Sequence, residues 1–116
     1  MAVVSAPEGY EFICTLSDLP KRGKKSFHIG KSTILIIVCE SGLYALEDRC
    51  PMTARSMAHG KVLNDEITSP NTGARYSLKT GFYVGGGQSP LQSHWLPLLR
   101  LKVEHDQVYV RLPRIK

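Results

Sequence analysis

Four residues that could bind a soft metal ion fall within ten positions of the chain, at Cys50, Met52, Met57 and His59. Thiolate and thioether sulfur suit Cu(I) and other thiophilic metals. Their spacing, however, matches no compact metal-binding motif. We therefore predict that Met52 and Met57 pack inside a loop, that His59 lies at the surface, and that the chain has no metal site of this kind.

The same part of the chain offers two candidate nucleophiles. Arg49 beside Cys50 could lower the pKa of the thiol and make it redox-active, but we favour a structural, partly buried cysteine. Ser69 could act with His59 or His94, yet no nucleophile-elbow motif surrounds any serine. We predict no catalytic residue, and we do not expect the chain to be an enzyme by itself.

The elements that must position these residues are read from the spacing of apolar side chains. The run 33–40 is almost continuously apolar and rich in β-branched residues, as in a strand buried on both faces. Alternation of apolar and polar residues near the C-terminus predicts a hairpin. No segment keeps the period of a helix, so we predict an all-β domain with strands at 10–14, 26–29, 33–40, 43–46, 99–104 and 107–111.

The middle of the chain, residues 47–97, carries six glycines and four prolines. Only short strand candidates interrupt it, at 61–63, 66–68 and 75–77. Loops supported by a rigid scaffold are where binding residues concentrate. We therefore predict that this stretch forms functional loops inserted into a small β scaffold.

One motif in this stretch is specific in its spacing. Cys50-Pro51-Met52 is followed by sixteen residues and then by the segment from Ser69 to Gly81. This arrangement resembles the Rieske 2Fe-2S domain, whose pattern is Cys-Pro-His, a spacer of this length, and Cys-Pro-x-His-Gly-x-x-Phe-x-Leu-x-Thr-Gly. Seven framework positions agree in register: Pro51, Pro70, Gly73, Tyr76, Leu78, Thr80 and Gly81. The resemblance covers nearly the whole chain.

The resemblance implies a fold and a domain organisation. Rieske-like domains are small antiparallel β-barrels or sandwiches with a loop-rich subdomain that binds the cluster. Here this implies a single domain over residues 1–116, with the cluster-binding-like subdomain at about 47–84.

Carried over position by position, the resemblance places the cluster ligands at Cys50, Met52, Ser69 and Thr72. Only Cys50 keeps the family's residue, whereas a Rieske centre needs two thiolates and two imidazoles. We therefore expect no cofactor, with a 2Fe-2S cluster only under an atypical ligation. In its place we expect the hydroxyls of Ser69 and Thr72 to hydrogen-bond to neighbouring backbone groups and Met52 to fill volume.

The resemblance also implies a role in an oxidoreductase system. We interpret the chain as a cluster-free accessory or interaction subunit, comparable in role to the small subunit of assimilatory NAD(P)H-dependent nitrite reductase. One alternative is a Rieske-type ferredoxin that carries electrons to an oxygenase or reductase through an atypically ligated cluster. Another is a module that binds a small ligand in the vacated cluster pocket.

The charge of the chain indicates the chemistry of a partner. It has 15 Lys and Arg against 10 Asp and Glu, a net charge of +5. We predict that an acidic face of a redox protein or catalytic subunit binds the basic residues in or beside the two loops. Nucleic acid is not expected, because the aromatic residues are not interleaved with the basic ones. The predicted partner-binding residues are Arg49, Arg55, Lys61, Arg75 and Lys79.

The longest apolar run, residues 34–39, is far shorter than the about 20 residues that a membrane-spanning helix needs. The first nine residues do not show the basic and apolar segments of a secretory signal. We therefore expect no membrane span and a cytoplasmic location.

Overall fold

The computed structural model describes residues 9–87 and 95–112, and strands dominate both ranges. A short 3-10 helix, Leu16–Asp18, follows the first strand. The all-β prediction is confirmed. The strands are β1 (Glu11–Thr15), β2 (Gly23–Ile29), β3 (Ser32–Cys39), β4 (Gly42–Glu47), β5 (Val62–Leu63), β6 (Glu66–Thr68), β7 (Arg75–Ser77), β8 (Tyr83–Gly85), β9 (Leu98–Leu99), β10 (Leu101–Glu104) and β11 (Gln107–Val110).

These strands form three antiparallel sheets. The first has the order β1-β11-β10, the second β2-β3-β4-β9 and the third β5-β6-β7-β8. Among the described strands no sheet closes into a barrel. The third sheet lies between residues 62 and 85 and therefore carries the loops that the sequence predicts to be functional.

Strand β3 connects two hydrophobic cores. Its central residues, Ile34 to Ile37, have no solvent exposure, which confirms the prediction of a strand buried on both faces. Successive side chains of a strand point to opposite faces, so alternate residues enter different cores. Leu35 and Ile37 belong to the loop core, with Leu46, Cys50, Met57, Ile67, Ala74, Tyr76, Leu78 and Leu96. Ile34 and Ile36 belong to the scaffold core, with Ile13, Cys14, Ala45, Val108 and Val110.

Some strand boundaries differ from the sequence-based expectation. Strand β2 begins at Gly23 because its pairing with β3 continues along its full length, which brings Lys24 and Lys25 into the strand. The predicted strand 99–104 divides at Arg100, since β9 pairs with β4 whereas β10 pairs with β11. The sequence does not predict β8, a three-residue strand that ends in Gly85 of a glycine run.

Other sequence-based expectations concern membranes, thiols and histidines. No helix within the described residues is long and apolar enough to span a membrane. Cys14, Cys39 and Cys50 are free thiols. His94, considered above as a general base, lies outside the described residues.

Truncation of the central strand should cost more than truncation at the surface. We predict that Ile36→Ala lowers the free energy of unfolding by about 2–5 kcal/mol, because it removes buried methyl groups and leaves a cavity. Leu63→Ala removes a side chain of equal size that is 66% exposed, and it should cost less than about 1 kcal/mol. Urea denaturation measures both values. Equal losses would contradict the central role of β3.

Candidate functional site

The carboxylate of Asp48 holds loop 1, residues 48–61, which joins β4 to β5. The backbone N–H of Asp48 donates to the Thr33 carbonyl oxygen at 2.9 Å, and this bond connects the loop to β3. Its Oδ1 accepts the Met57 N–H at 2.7 Å, and its Oδ2 accepts the Ser56 hydroxyl at 2.6 Å. Asp48 therefore closes loop 1 on itself. Sequence reasoning missed this residue, because a lone aspartate at a strand end carries no distinctive motif.

Within loop 1 a tight turn buries Cys50. The Cys50 N–H donates to the Arg55 carbonyl oxygen at 2.6 Å, and the Ala54 N–H donates to the Cys50 carbonyl oxygen at 2.8 Å. Ala54 itself has a φ of 61°, in the left-handed region that non-glycine residues rarely adopt. As a result only 1% of Cys50 is exposed.

Loop 2, residues 69–74, joins β6 to β7 and is held by two hydroxyls. The Ser69 Oγ accepts the N–H groups of Asn71 and Thr72 at 3.2 and 3.3 Å. The Thr72 Oγ1 accepts the Ala74 N–H at 3.2 Å. The predicted bonds from both hydroxyls to neighbouring backbone groups are confirmed, and they satisfy donors that a tight loop leaves unpaired.

The two loops meet at a buried sulfur–oxygen contact, where Cys50 Sγ lies 3.2 Å from Ser69 Oγ. Burial disfavours ionisation of the thiol. Hydrogen bonds from the Ser69 and Thr53 side chains and from the Met52 and Thr53 backbone nonetheless hold the pKa of Cys50 below its usual value. Together these hydrogen bonds outweigh the effect of burial on the ionisation of the thiol.

The suggested effect of Arg49 on this thiol has no counterpart in the structure. The Arg49 guanidinium lies 3.4 Å from the Glu47 carboxylate. The hydrogen bonds that lower the pKa of Cys50 come instead from loop 1 itself and from Ser69.

Tyr76 contributes an unpaired polar atom beside this contact. Its side chain belongs to the loop core and is fully buried, and its hydroxyl has no hydrogen-bond partner among the described residues. Burial, with smaller contributions from Cys50 and Tyr83, raises the pKa of Tyr76 to about 12. The phenol is therefore neutral throughout the physiological range, and it brings a buried hydroxyl close to Cys50.

The remaining candidate ligands are distributed as the sequence predicts. Met57 is fully buried in the loop core, and Met52 is partly buried against it. His59 is exposed. Ser69, the candidate nucleophile, contacts Cys50 and the loop 2 backbone. The described residues contain no group of three or more His, Cys, Asp or Glu side chains that could hold a metal ion.

The five basic residues divide into two groups. Three of them form ion pairs within the chain, Arg49 with Glu47 at 3.4 Å, Arg75 with Glu66 at 2.9 Å and Lys79 with Asp65 at 3.6 Å. Arg55 and Lys61, both exposed, form no ion pair with the described residues. Of these five residues, the two without an ion pair therefore both lie on loop 1.

Comparison with known families gives a match along most of the chain. The family described as the Rieske-like 2Fe-2S domain matches residues 9–111. The chain therefore belongs to the Rieske-like 2Fe-2S domain family. Among curated protein sequences, none matches the chain.

Three solved structures that share the fold are matched over nearly their whole length. A chain of the complex of reduced oxygenase and oxidised ferredoxin in carbazole 1,9a-dioxygenase has a TM-score of 0.73 at 23% identity, and the match covers 90% of this chain and 94% of that one. A structure described as a nitrite reductase NADPH small subunit has a TM-score of 0.68 at 26% identity, and the match covers 87% of this chain and 96% of that one. The carbazole 1,9a-dioxygenase ferredoxin of Nocardioides aromaticivorans IC177 has a TM-score of 0.70 at 15% identity, and the match covers 87% of this chain and 95% of that one.

These comparisons correct the expectation about the cofactor. The matched family and the ferredoxin neighbours point to an iron–sulfur cluster, so the expectation of no cofactor is wrong. The side chains at the motif's ligand positions nevertheless do not fit a Rieske cluster, which takes two thiolates and two imidazoles. Cys50 and Ser69 supply a thiol and a hydroxyl in contact with each other, while Met52 and Thr72 supply a thioether and a second hydroxyl. No redox step is assigned to these residues.

Removal of the unpaired hydroxyl should stabilise the loop core. We predict that Tyr76→Phe raises the free energy of unfolding by about 1 kcal/mol, because a buried hydroxyl without a partner carries an uncompensated desolvation cost. Tyr109→Phe is the matched control, since the buried Tyr109 hydroxyl donates to Gln107 Oε1 at 2.5 Å, and it should cost about 0.5–1.5 kcal/mol. Urea denaturation measures the free energy of unfolding of both variants and distinguishes the expected gain from the expected loss. A larger loss for Tyr76→Phe would show that its hydroxyl has a partner.

Proposed function

We propose that the chain is a small ferredoxin-like component of an oxidoreductase system and that it acts by docking to a redox protein or catalytic subunit. The likeness to the nitrite reductase small subunit supports this most directly, because it reaches 26% identity and extends over 96% of that chain. The other neighbours are likewise described as ferredoxins or as oxygenase complexes. On this proposal the chain is an accessory protein and not a catalyst by itself.

Loops 1 and 2, with the segment to Gly81, are the proposed docking surface. Arg55 and Lys61 carry charge that no described carboxylate neutralises, so they favour an acidic face on the partner. The exposed ion pairs of Arg49, Arg75 and Lys79 are each worth at most about 1 kcal/mol. These cations can therefore exchange their internal carboxylate for one on the partner at little cost.

Charge reversal on loop 1 tests the docking surface. Arg55→Glu should weaken a complex isolated from the source cells by roughly fivefold or more at low salt, with a smaller effect at high salt, since exposed charges are screened. Arg75→Glu should have a weaker effect, because Arg75 already pairs with Glu66. Affinity is measured by surface plasmon resonance at two salt concentrations.

Lys102→Glu supplies the control for this experiment. It makes the same change in net charge on β10 of the first sheet, outside both loops, and it should leave the affinity unchanged. Equal effects of Arg55→Glu and Lys102→Glu would contradict docking through loop 1 and would indicate a response to net charge alone.

A second candidate function is electron carriage through an atypically ligated 2Fe-2S cluster, which the family description and the ferredoxin neighbours favour. Cys50 is the one position that keeps the family's ligand.

Chemical analysis of anaerobically purified protein tests this candidate. We predict that electron carriage requires iron and acid-labile sulfide in equal amounts and that Cys50→Ala loses both. Cys14→Ala removes a different buried thiol and should retain them. Absence of iron and sulfide from folded protein would contradict electron carriage and leave the docking role in place.

A further inference from the structure

Strand β2 has an open edge on its outer side. It is the first strand of the sheet order β2-β3-β4-β9, and it pairs only with β3 among the described strands. At seven residues it is one of the longest strands of the protein. The backbone hydrogen bonds found outside the regular ladders of the described chain include none from this strand. A row of backbone donors and acceptors therefore faces outwards, which is a template for another strand.

The register identifies the residues of this row. Ile29 pairs with Ser32 across the two-residue turn at Gly30 and Lys31, and Gly30 has the positive φ of 60° that such a turn uses at its first position. The pair that closes a two-residue turn is hydrogen-bonded, and bonded and non-bonded pairs alternate along an antiparallel ladder. Lys24, Ser26 and His28 therefore direct their N–H and C=O groups to the open edge.

Four positively charged residues lie at or beside this edge. Lys21, Arg22, Lys24 and Lys25 lie within or directly before β2, and none of them forms an ion pair with the described residues. The Lys24 ammonium donates to the Gly60 carbonyl oxygen at 2.7 Å, and the Lys25 ammonium donates to the Asp18 carbonyl oxygen at 2.9 Å. Both bonds fold the lysine side chains onto the protein's own backbone. No described carboxylate lies within ion-pair distance of either ammonium, and the Asp18 carboxylate attracts Lys25 only at longer range.

We propose that the open edge of β2 binds an extended acidic segment of a partner protein, which joins the second sheet as an additional antiparallel or parallel strand. Main-chain hydrogen bonds to Lys24, Ser26 and His28 provide the affinity, and the cluster of cations selects acidic side chains. This inference does not rest on the proposed function, because none of the residues proposed to bind the segment lies in loops 1 and 2.

A second copy of this chain is a poorer occupant of the same edge. Pairing of β2 with another β2 would bring two clusters of four cations together, and like charges across a strand pair are destabilising. Lysines at a sheet edge are also a common device against self-association. Here they would reject a second copy and accept an acidic strand through the same charge.

Peptides of known sequence test the proposal directly. The probe is a capped peptide of seven residues, the length of β2, that alternates glutamate with valine, and its control replaces each glutamate by lysine. Nitrogen-15 NMR of the full chain follows amide hydrogen exchange. We expect the glutamate peptide to slow exchange of the Lys24, Ser26 and His28 amides by roughly tenfold, and the lysine peptide to leave it unchanged. Equal effects of the two peptides, or no protection of these amides, would overturn the proposal.

Variants of the chain test separately how backbone hydrogen bonds and charge contribute to binding of the peptide. Ser26→Pro removes one outward N–H at an edge position where proline is tolerated, and it should weaken binding of the glutamate peptide by roughly tenfold, whereas Ser26→Ala keeps the N–H and should bind normally. If Ser26→Pro fails to fold, Lys21→Glu with Arg22→Glu leaves the β2 ladder intact and should abolish the preference between the two peptides, because the cluster of four cations is then neutral overall. Unchanged preference in this variant would overturn the charge argument. A dimer of the wild-type chain that persists in Ser26→Ala and dissociates in Ser26→Pro would show a second copy at this edge and overturn the acidic partner.

Discussion

Burial of strand β3 on both faces is the constraint on which the rest of the structure depends. Four consecutive aliphatic residues, Ile34 to Ile37, are removed from water completely. Each such side chain contributes about 1.5–3 kcal/mol through burial alone. Because they alternate between two cores, the same strand organises the scaffold and supports the loops. Loop 1 is fastened directly to it, through the Asp48 N–H and the Thr33 carbonyl oxygen.

The site above this strand combines polar atoms with an apolar surrounding. Cys50 and Ser69 contact each other in a core of aliphatic and aromatic side chains, and the Ser69 hydroxyl is also shared with two backbone donors of loop 2. Tyr76 adds a hydroxyl without a described partner. The chain thus keeps the loop framework of the Rieske-like family, while the side chains at the ligand positions have a different chemistry.

The positive charge of the protein is unevenly compensated. Arg75, Lys79 and Arg49 pair with carboxylates of the same chain, whereas the basic residues of β2 bond to carbonyl oxygens. A carbonyl satisfies the donors of an ammonium group but leaves its net charge in place. Regions of uncompensated charge near loop 1 and along β2 are therefore the surfaces that we propose for acidic partners.

The sequence by itself determined the all-β class, the buried run of β3 and the positions of both loops, because strand periodicity, turn residues and motif spacing are local properties. The extension of β2 and the existence of β8 were decided by pairing with the neighbouring strands β3 and β7. The division at Arg100 was decided by pairing of β9 with β4, which is distant in sequence. Only the tertiary structure decided that Asp48 closes loop 1, that Tyr76 lacks a described partner and that Arg55 forms no ion pair with the described residues. Each depends on atoms that approach one another only after the chain folds.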